Sequence, residues 1–408
     1  DGSFTPKTEY TDFTVDRKLG RVTFVAAPPN PPIIGTDNVY FTVYKTNTQY
    51  LDRINKSDVC TLYGSNGARD RVFCTGGGNK NNDYHSALND CTYFGDLNYS
   101  VMGGDDSTIM GYTVINDRLA SHLNMSEDDT NIILREGIIL EGKTQFRLAG
   151  GLQGEGAVSK HTFGVLATEP VFCTKNGVSA VTSADYSNER YAQNRSYYVD
   201  RLLKKQDLKN SYACMYNGFY VLAAGEYIFA LDGAQPSVEK NLPYATRLYE
   251  GYVRNGIGAR VIWNQDGVLM FGTSKGEIKA FYSETNSLMS YNDDGKAIKA
   301  VWATPFITGR EFCNKKKFKK IALLLGAAVA TGCRIWALYD GISQLIYDYD
   351  GTARYFAFSQ LQFSKISFKT DKSSQIIEEK LSGIKPDSKK VQFIFENDQL
   401  NEPFSLEE

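Results

Sequence analysis

The sequence predicts an all-β chain: a β-propeller of about five to six blades followed by an antiparallel β-sandwich. Three observations predict it. Aromatic residues are 13 % of the 408 residues, carried by 26 Tyr and 23 Phe against 3 Trp. Tyr and Phe favour the pleated, half-buried surface of a sheet. Second, a strand motif recurs. Val72-Phe73-Cys74-Thr75, Val171-Phe172-Cys173-Thr174 and Met270-Phe271-Gly272-Thr273 put Phe at 73, 172 and 271, each gap being 99. Half of that gap points to further strands near 122 and 221. Arg118–Leu123 and Phe219–Ala224 stand there, behind the turn residues Asn116-Asp117 and Asn217-Gly218. A period of 49 to 50 residues thus covers five units from about residue 60 to 285. Third, the units share one grammar of strand, glycine turn, strand. Asn176-Gly177 precedes Val178–Val181, and Lys275-Gly276 precedes Ile278–Phe281. Glycine there supplies the positive φ of a tight hairpin. Solenoid repeats are usually shorter than this period, which suits propeller blades.

The elements follow in order. Residues 1–46 read as an N-terminal β-hairpin module. Phe13–Val15 and Arg21–Val25 alternate at period two around a Leu19-Gly20 turn. Pro28–Pro32 is a rigid connector, because proline cannot donate to a sheet ladder. Val39–Tyr44 is the next expected strand. Residues 47–296 hold the propeller. One helical insertion interrupts it at Arg195–Lys205, with Tyr198, Val199, Leu202 and Leu203 on one face. Residues 297–408 form the sandwich. Its expected strands are Ile298–Thr304, Phe318–Leu325, Arg334–Leu338, Phe356–Phe358, Ser364–Phe368 and Val391–Phe395.

Net charge is −2, which excludes a strongly basic nucleic-acid binder as a description of the whole chain. Seven cysteines form no CxxC pair, so a zinc ribbon or thioredoxin-type motif is excluded. Cys74 and Cys173 sit in apolar runs and read as small core residues in a reducing compartment. Three histidines, His85, His122 and His161, are too few and too scattered for most His-based metal sites. The chain starts at Asp1 without Met, shows no signal-peptide pattern there, and reads as a fragment or processed product. The longest apolar run, Ile321–Gly332, is shorter than the roughly 18 residues that span a bilayer. A soluble chain without a membrane-spanning segment is expected.

Several motifs carry chemistry in other settings. Gly137-Ile-Ile-Leu-Glu-Gly142-Lys143-Thr144 satisfies the P-loop pattern. A P-loop opens into a helix, whereas these residues read as a hairpin turning at Glu141-Gly142-Lys143. Gly272-Thr-Ser274-Lys-Gly276 satisfies GxSxG, but in a strand–turn–strand setting rather than the strand-to-helix elbow a nucleophile needs. Asp348-Tyr-Asp350-Gly351 begins like a calcium loop, then places Ala353 and Ser359 where Gly and Glu are required, and reads as a turn. The acidic pairs Asp105-Asp106, Asp128-Asp129 and Asp293-Asp294 read as solvated loop carboxylates. Four sequons, at Asn55, Asn98, Asn124 and Asn194, carry no weight in an Asn- and Ser-rich chain. The one strong basic run is Lys315, Lys316, Lys317, Lys319 and Lys320. It reads as a charged strand edge that discourages sheet-to-sheet pairing, or as a contact to DNA or a neighbouring subunit. No catalytic residue, metal or cofactor is expected.

A resemblance covers nearly the whole chain. It is carried by Val22-Thr-Phe-Val-Ala-Ala-Pro-Pro, Gly35-Thr-Asp-Asn-Val-Tyr and Asp52-Arg-Ile-Asn-Lys. Ala68-Arg-Asp-Arg-Val-Phe, His85-Ser-Ala-Leu-Asn-Asp-Cys-Thr-Tyr-Phe and Asp105-Asp-Ser-Thr-Ile-Met-Gly-Tyr add to it. So do Gln193-Asn-Arg-Ser-Tyr, Tyr291-Asn-Asp-Asp-Gly-Lys-Ala-Ile and Phe393-Ile-Phe-Glu-Asn-Asp-Gln-Leu-Asn-Glu-Pro-Phe. Together they resemble a family of structural proteins of phages and prophages of Gram-positive bacteria. By architecture that family is similar to the β-propeller tail-nozzle and packaged-DNA stabilisation proteins of short-tailed phages. The resemblance implies a non-enzymatic virion protein, assembled in the bacterial cytoplasm and placed in the tail or head–tail connector. Its implied partners are copies of itself in a ring, other tail or connector proteins, passing phage DNA and the host surface. Mild net acidity suits a channel wall that must not hold DNA. A receptor- or glycan-binding tail protein, with exposed Tyr stacking on sugars, is the alternative. A propeller hydrolase, or an NTPase through Lys143, is the third reading.

Overall fold

The computed structural model describes residues 5–31, 33, 35, 37–43, 51–75, 79–181, 192–239, 246–282, 288–309, 311, 313–326, 331–353, 375–381, 388–403 and 405–407. The chain divides into two compact units, Asp1–Ile109 and Met110–Glu408.

In the first unit, β1 (Phe13–Asp16) and β2 (Arg21–Phe24) pair as an antiparallel hairpin from Phe13↔Phe24 to Asp16↔Arg21. Gly20 takes φ +63 in the turn between them. Residues 39–43 lie outside any strand, which corrects the expectation for Val39–Tyr44; Tyr44 lies outside the described residues. Tyr40, Phe41 and Val43 are exposed. Strand propensity alone does not make a strand, because a partner edge must accept its backbone groups. A short helix, α1 (Leu51–Asn55), leads into the first four-stranded meander. Its strands are β3 (Val59–Tyr63), β4 (Arg71–Thr75), β5 (Asn82–His85) and β6 (Tyr99–Val101), paired in chain order. Cys74, Tyr84 and Phe94 are buried on it, with Val72 packed alongside.

Three more four-stranded meanders and one of three strands follow. The second is β7 (Ile109–Ile115), β8 (Arg118–Leu123), β9 (Thr130–Leu140) and β10 (Lys143–Gln153). The third is β11 (Gly164–Leu166), β12 (Glu169–Thr174), β13 (Gly177–Val181) and β14 (Ala192–Asn194). A helical turn, α2 (Asp200–Leu203), precedes the fourth: β15 (Tyr212–Tyr216), β16 (Phe219–Ala224), β17 (Tyr227–Glu239) and β18 (Thr246–Asn255). The fifth is β19 (Ala259–Gln265), β20 (Val268–Thr273) and β21 (Ile278–Ala280). The predicted period is realised in full. The strands at 73, 122, 172, 221 and 271 are β4, β8, β12, β16 and β20, each the second of its meander.

Within the second unit, successive meanders bury shared faces, as propeller blades do. Ile132 and Leu134 of the second pack with Phe172 and Val181 of the third. Val171 and Val178 of the third pack with Leu222 and Phe229 of the fourth. Val221 and Ile228 of the fourth meet Ile262 and Phe271 of the fifth. Each fully buried side chain of this size contributes roughly 1.5–3 kcal/mol. Two faces per blade must therefore be apolar, and β13 and β16 are buried almost from end to end.

The helical insertion is shorter than expected. The backbone N–H of Arg195 donates to Val178 O at 2.7 Å, extending the sheet ladder, so helix begins only at Asp200. Val199 and Leu203 are buried as predicted, whereas Tyr198 is exposed.

After the short hairpin β22 (Asn292–Asp293) and β23 (Lys296–Ala297), two sheets enclose one core. The strands are β24 (Ala300–Ala303), β25 (Lys320–Leu325), β26 (Thr331–Tyr339), β27 (Ile342–Ala353), β28 (Gln375–Lys380) and β29 (Gln392–Asn397). One sheet runs β24-β29-β26-β27 and the other pairs β25 with β28. Ile321 and Leu323 of the small sheet pack against Ile335, Ala337, Phe393 and Phe395 of the large one. The expected strands Phe356–Phe358 and Ser364–Phe368 lie outside the described residues, while β27 and β28 were not expected. Asp348 to Gly351 belongs to β27, a strand rather than the expected turn. Among the described residues, no helix is long and apolar enough to cross a membrane.

Candidate functional site

A buried polar constellation joins the third and fourth blades. Glu169 opens β12, Arg195 follows β14, and Tyr249 lies in β18. Arg195 is almost fully buried. Its Nε donates to Glu169 Oε2 at 2.8 Å and its Nη2 to Oε1 at 3.0 Å. This is the two-pronged geometry that a planar guanidinium and a carboxylate favour. Nη1 donates to Gln193 Oε1 at 3.2 Å. Tyr249 of the neighbouring blade donates its hydroxyl to Glu169 Oε2 at 3.1 Å.

A second cluster lies on the same blade. Asp200 accepts from Ser196 Oγ at 2.5 Å and from Asn194 Nδ2 at 2.6 Å. Ser196 Oγ in turn accepts from Val178 N at 2.8 Å. Glu155 accepts from the Thr174 hydroxyl and the Asn176 amide. The carboxylates are held by fixed donors, so the arrangement locks β13 to the segment after β14. The Asn194 sequon is part of this lock, with its amide nitrogen engaged. Sequence reasoning missed the constellation, although the stretch Gln193-Asn-Arg-Ser-Tyr contributes to the family resemblance. The available signal was the run Asn194, Arg195 and Ser196 with Asp200 close behind, next to the apolar Val199, Leu202 and Leu203.

The histidines are separate. His122 is fully buried, with Nε2 2.7 Å from Thr113 Oγ1 and its ring against Phe163 and Phe172. Burial pushes its pKa down to about 3. His85 stacks on Phe73, and burial, with Arg71 nearby, lowers it to about 4. His161 stacks on Tyr212 at 4.2 Å. Burial pushes the Cys173 thiol up to about 12, so it stays a thiol at neutral pH. Among the described residues, no group of three or more His, Cys, Asp or Glu side chains is arranged to hold a metal ion.

The other motifs resolve into turns and strands. Gly137–Leu140 ends β9, Lys143 and Thr144 begin β10, and Glu141 and Gly142 turn between them with φ +49 and +73. The residues of the P-loop pattern form this two-residue hairpin. Ser274 sits in the turn from β20 to β21, where Gly276 N donates to Thr273 O at 3.1 Å. Asp105, Asp106, Asp128 and Asp129 are exposed in turns and bends. Asp293 pairs with Arg254, and Asp294 with Lys279 at 2.5 Å.

The basic run alternates along an edge. Lys316 is half-buried and bridges to Ser388, and its ammonium donates to the carbonyls of Glu311 and, at 2.9 Å, Asn314. Phe318 turns into the sandwich core. Lys320 opens β25 and pairs with Glu378 on β28. Lys315, Lys317 and Lys319 are exposed. Four of the five lysines are thus exposed, Lys320 among them in its ion pair, and Lys316 is folded back onto the protein.

No protein-family model matches the sequence, and no curated protein matches it. Solved structures with a similar course of chain include Kluyveromyces lactis Hsv2, at 10 % identity over 55 % of this chain with TM-score 0.31. The WD40 domain of SCAP from fission yeast is 8 % identical over 80 % of this chain and 64 % of its own, with TM-score 0.26. A Bacillus subtilis glycoside hydrolase family 43 arabinoxylan arabinofuranohydrolase is 10 % identical over 86 % of this chain and 77 % of its own, with TM-score 0.24. The chain spans 59 % of the Hsv2 chain's length. These are likenesses of fold alone; the blade order and the shared blade faces carry the fold assignment.

Proposed function

We propose that this chain is a virion structural protein of a tailed phage, a ring-forming component of the tail, its nozzle or the head–tail connector, without catalytic activity. The observation that carries this reading is the Arg195–Glu169–Tyr249 tie between adjacent blades. Its buried charges are saturated by fixed partners, which suits a part that transmits load rather than one that turns over substrate. The resemblance over nearly the whole chain supports the same role. In this reading the blades give a stiff wall, the sandwich and loops dock neighbouring copies, and Lys315, Lys317 and Lys319 face DNA or an adjacent subunit.

The receptor- or glycan-binding alternative is favoured by one feature, the exposed T-shaped pair of Tyr197 and Tyr198. Such rings offer a stacking face to a sugar. Imaging of intact particles labelled with an antibody against this chain separates the readings. A band of label at the tail or portal vertex is the expected result. Label at the distal tip alone would transfer the proposal to receptor binding, and unlabelled particles would overturn both.

A further inference from the structure

We propose that Cys60 and Cys74 form a reversible disulfide that staples the edge strand β3 to β4. The two residues are direct partners in the β3–β4 register. Which kind of pair they make follows from the neighbouring ladder. Ser86 N donates to Val72 O at 2.9 Å, so Val72 aims its backbone groups at β5, and so does Cys74 two residues on. Asp58 N donates to Thr75 O at 3.0 Å, so Thr75 aims its groups at β3. Cys60 and Cys74 therefore occupy a non-hydrogen-bonded position. Cα atoms at such a position stand about 4.5 Å apart with their side chains on the same face. That lies at the short end of the roughly 4.4–6.8 Å range that a disulfide spans.

The two sulfurs differ in access. Cys60 is exposed and lies on the edge of the sheet. Cys74 is buried beneath it beside Tyr84 and Phe94. Burial raises the Cys74 thiol; the Ser57 hydroxyl, bonded to it, works the other way, and Cys60 adds to the rise. Cys60 is accordingly the entry point for a low-molecular-weight disulfide. Its thiolate attacks one sulfur of that reagent and releases one thiolate. The Cys74 thiolate then attacks the Cys60 sulfur, forms the intrachain bond and releases the second thiolate. The two cysteine protons end on the two leaving thiols. The exposed Cys60 sulfur leaves one side of the bond open to an attacking thiol, so the bond can be reduced again and acts as a switch rather than a permanent staple. The proposal is independent of the virion reading.

The test uses the full chain, reduced and then incubated with glutathione disulfide. Free thiols are blocked by alkylation before tryptic digestion and mass spectrometry. The expected product is the peptide Ser57–Arg69 joined to Val72–Lys80, lost on treatment with dithiothreitol. The oxidised protein is expected to melt several degrees above the reduced one, because the bond closes the loop between the two strands in the unfolded chain. Cys60→Ser, an exposed substitution that leaves the core intact, should remove both the linked peptide and the shift in melting. The proposal is overturned if Cys60 stops at a glutathione adduct with Cys74 still unlinked. It is equally overturned if both thiols stay alkylatable, or if Cys60 joins a second copy of the chain instead.

Discussion

Arg195 and His122 each place a titratable group where water cannot reach, with opposite consequences. Arg195 is stable there because Glu169 and Gln193 replace its hydration. Truncating it leaves the Glu169 carboxylate without its main partner. Arg195→Ala is expected to cost about 3–5 kcal/mol, read from urea unfolding, whereas a loss below about 1 kcal/mol would show the pair to be dispensable. His122 stands at the repeat position that holds Phe at 73, 172 and 271. Its neighbours are those of a core phenylalanine, so the ring stays neutral. Its pKa falls from 6.5 to about 3 through burial. Between those values the unfolded chain binds a proton that the folded chain refuses. The stability contribution is therefore complete above pH 6.5 and is lost as pH falls towards 3. Going from pH 7 to 4.5 should cost roughly 2–3 kcal/mol from this residue, at about 1.4 kcal/mol per unit. His85, lowered to about 4, adds to the same window. In His122→Asn the dependence of the urea midpoint on pH should flatten; an unchanged slope would remove His122 as its source.

Hairpin turns set the blades in register. Asn116-Asp117, Asn217-Gly218 and Asp266-Gly267 join the first two strands of their blades, and both residues of each pair have positive φ. Two-residue hairpins favour this conformation because it matches the right-handed strand twist. Asn, Asp and Gly tolerate it best, which is why the turns at Asn116-Asp117 and Asn217-Gly218 were visible in the sequence; Asp266-Gly267 carried the same signal unused. Asp340-Gly341 between β26 and β27 has the same form and was the unused signal for the missed strand. Glycines at equivalent places are not equivalent in cost. Gly276 has φ +79 and open space where an added methyl group would sit. Gly177, at φ +122, would bring a Cβ to 2.5 Å from both Asp200 Oδ1 and Ser196 Oγ. Gly276→Ala should cost about 1–2 kcal/mol, the penalty of a left-handed L-residue. Gly177→Ala should cost about 3 kcal/mol or more, since it also breaks the buried lock. Equal losses in thermal unfolding would show that the lock yields freely.

In the second unit, the blades depend on one another through shared faces. Phe172 belongs to the third blade yet packs into the core of the second. Phe172→Ala should cost about 3–5 kcal/mol. Hydrogen exchange should show protection falling in β8 and β9 as well as in β12 and β13. Loss confined to the third blade would mean that the blades open as separate units. Joint loss would fit the proposed mechanical role, because a stack that opens together resists local distortion.

Periodicity and turn chemistry made most of the fold legible beforehand. The 49- to 50-residue spacing located the second strand of all five meanders, because each blade needs the same apolar strand behind the same kind of tight turn. The P-loop and GxSxG patterns were rejected on the same grounds, since local chain preference decides whether a turn leads to a helix or a strand. What local preference could not reveal was pairing. Val39–Val43 has strand composition but no strand, and Arg195 joins a ladder instead of starting a helix. Arg195 and Glu169 are 26 positions apart, and Cys60 faces Cys74 across two strands. Such contacts are fixed by which surfaces the packed sheets bring together, and one-dimensional spacing carries no record of that.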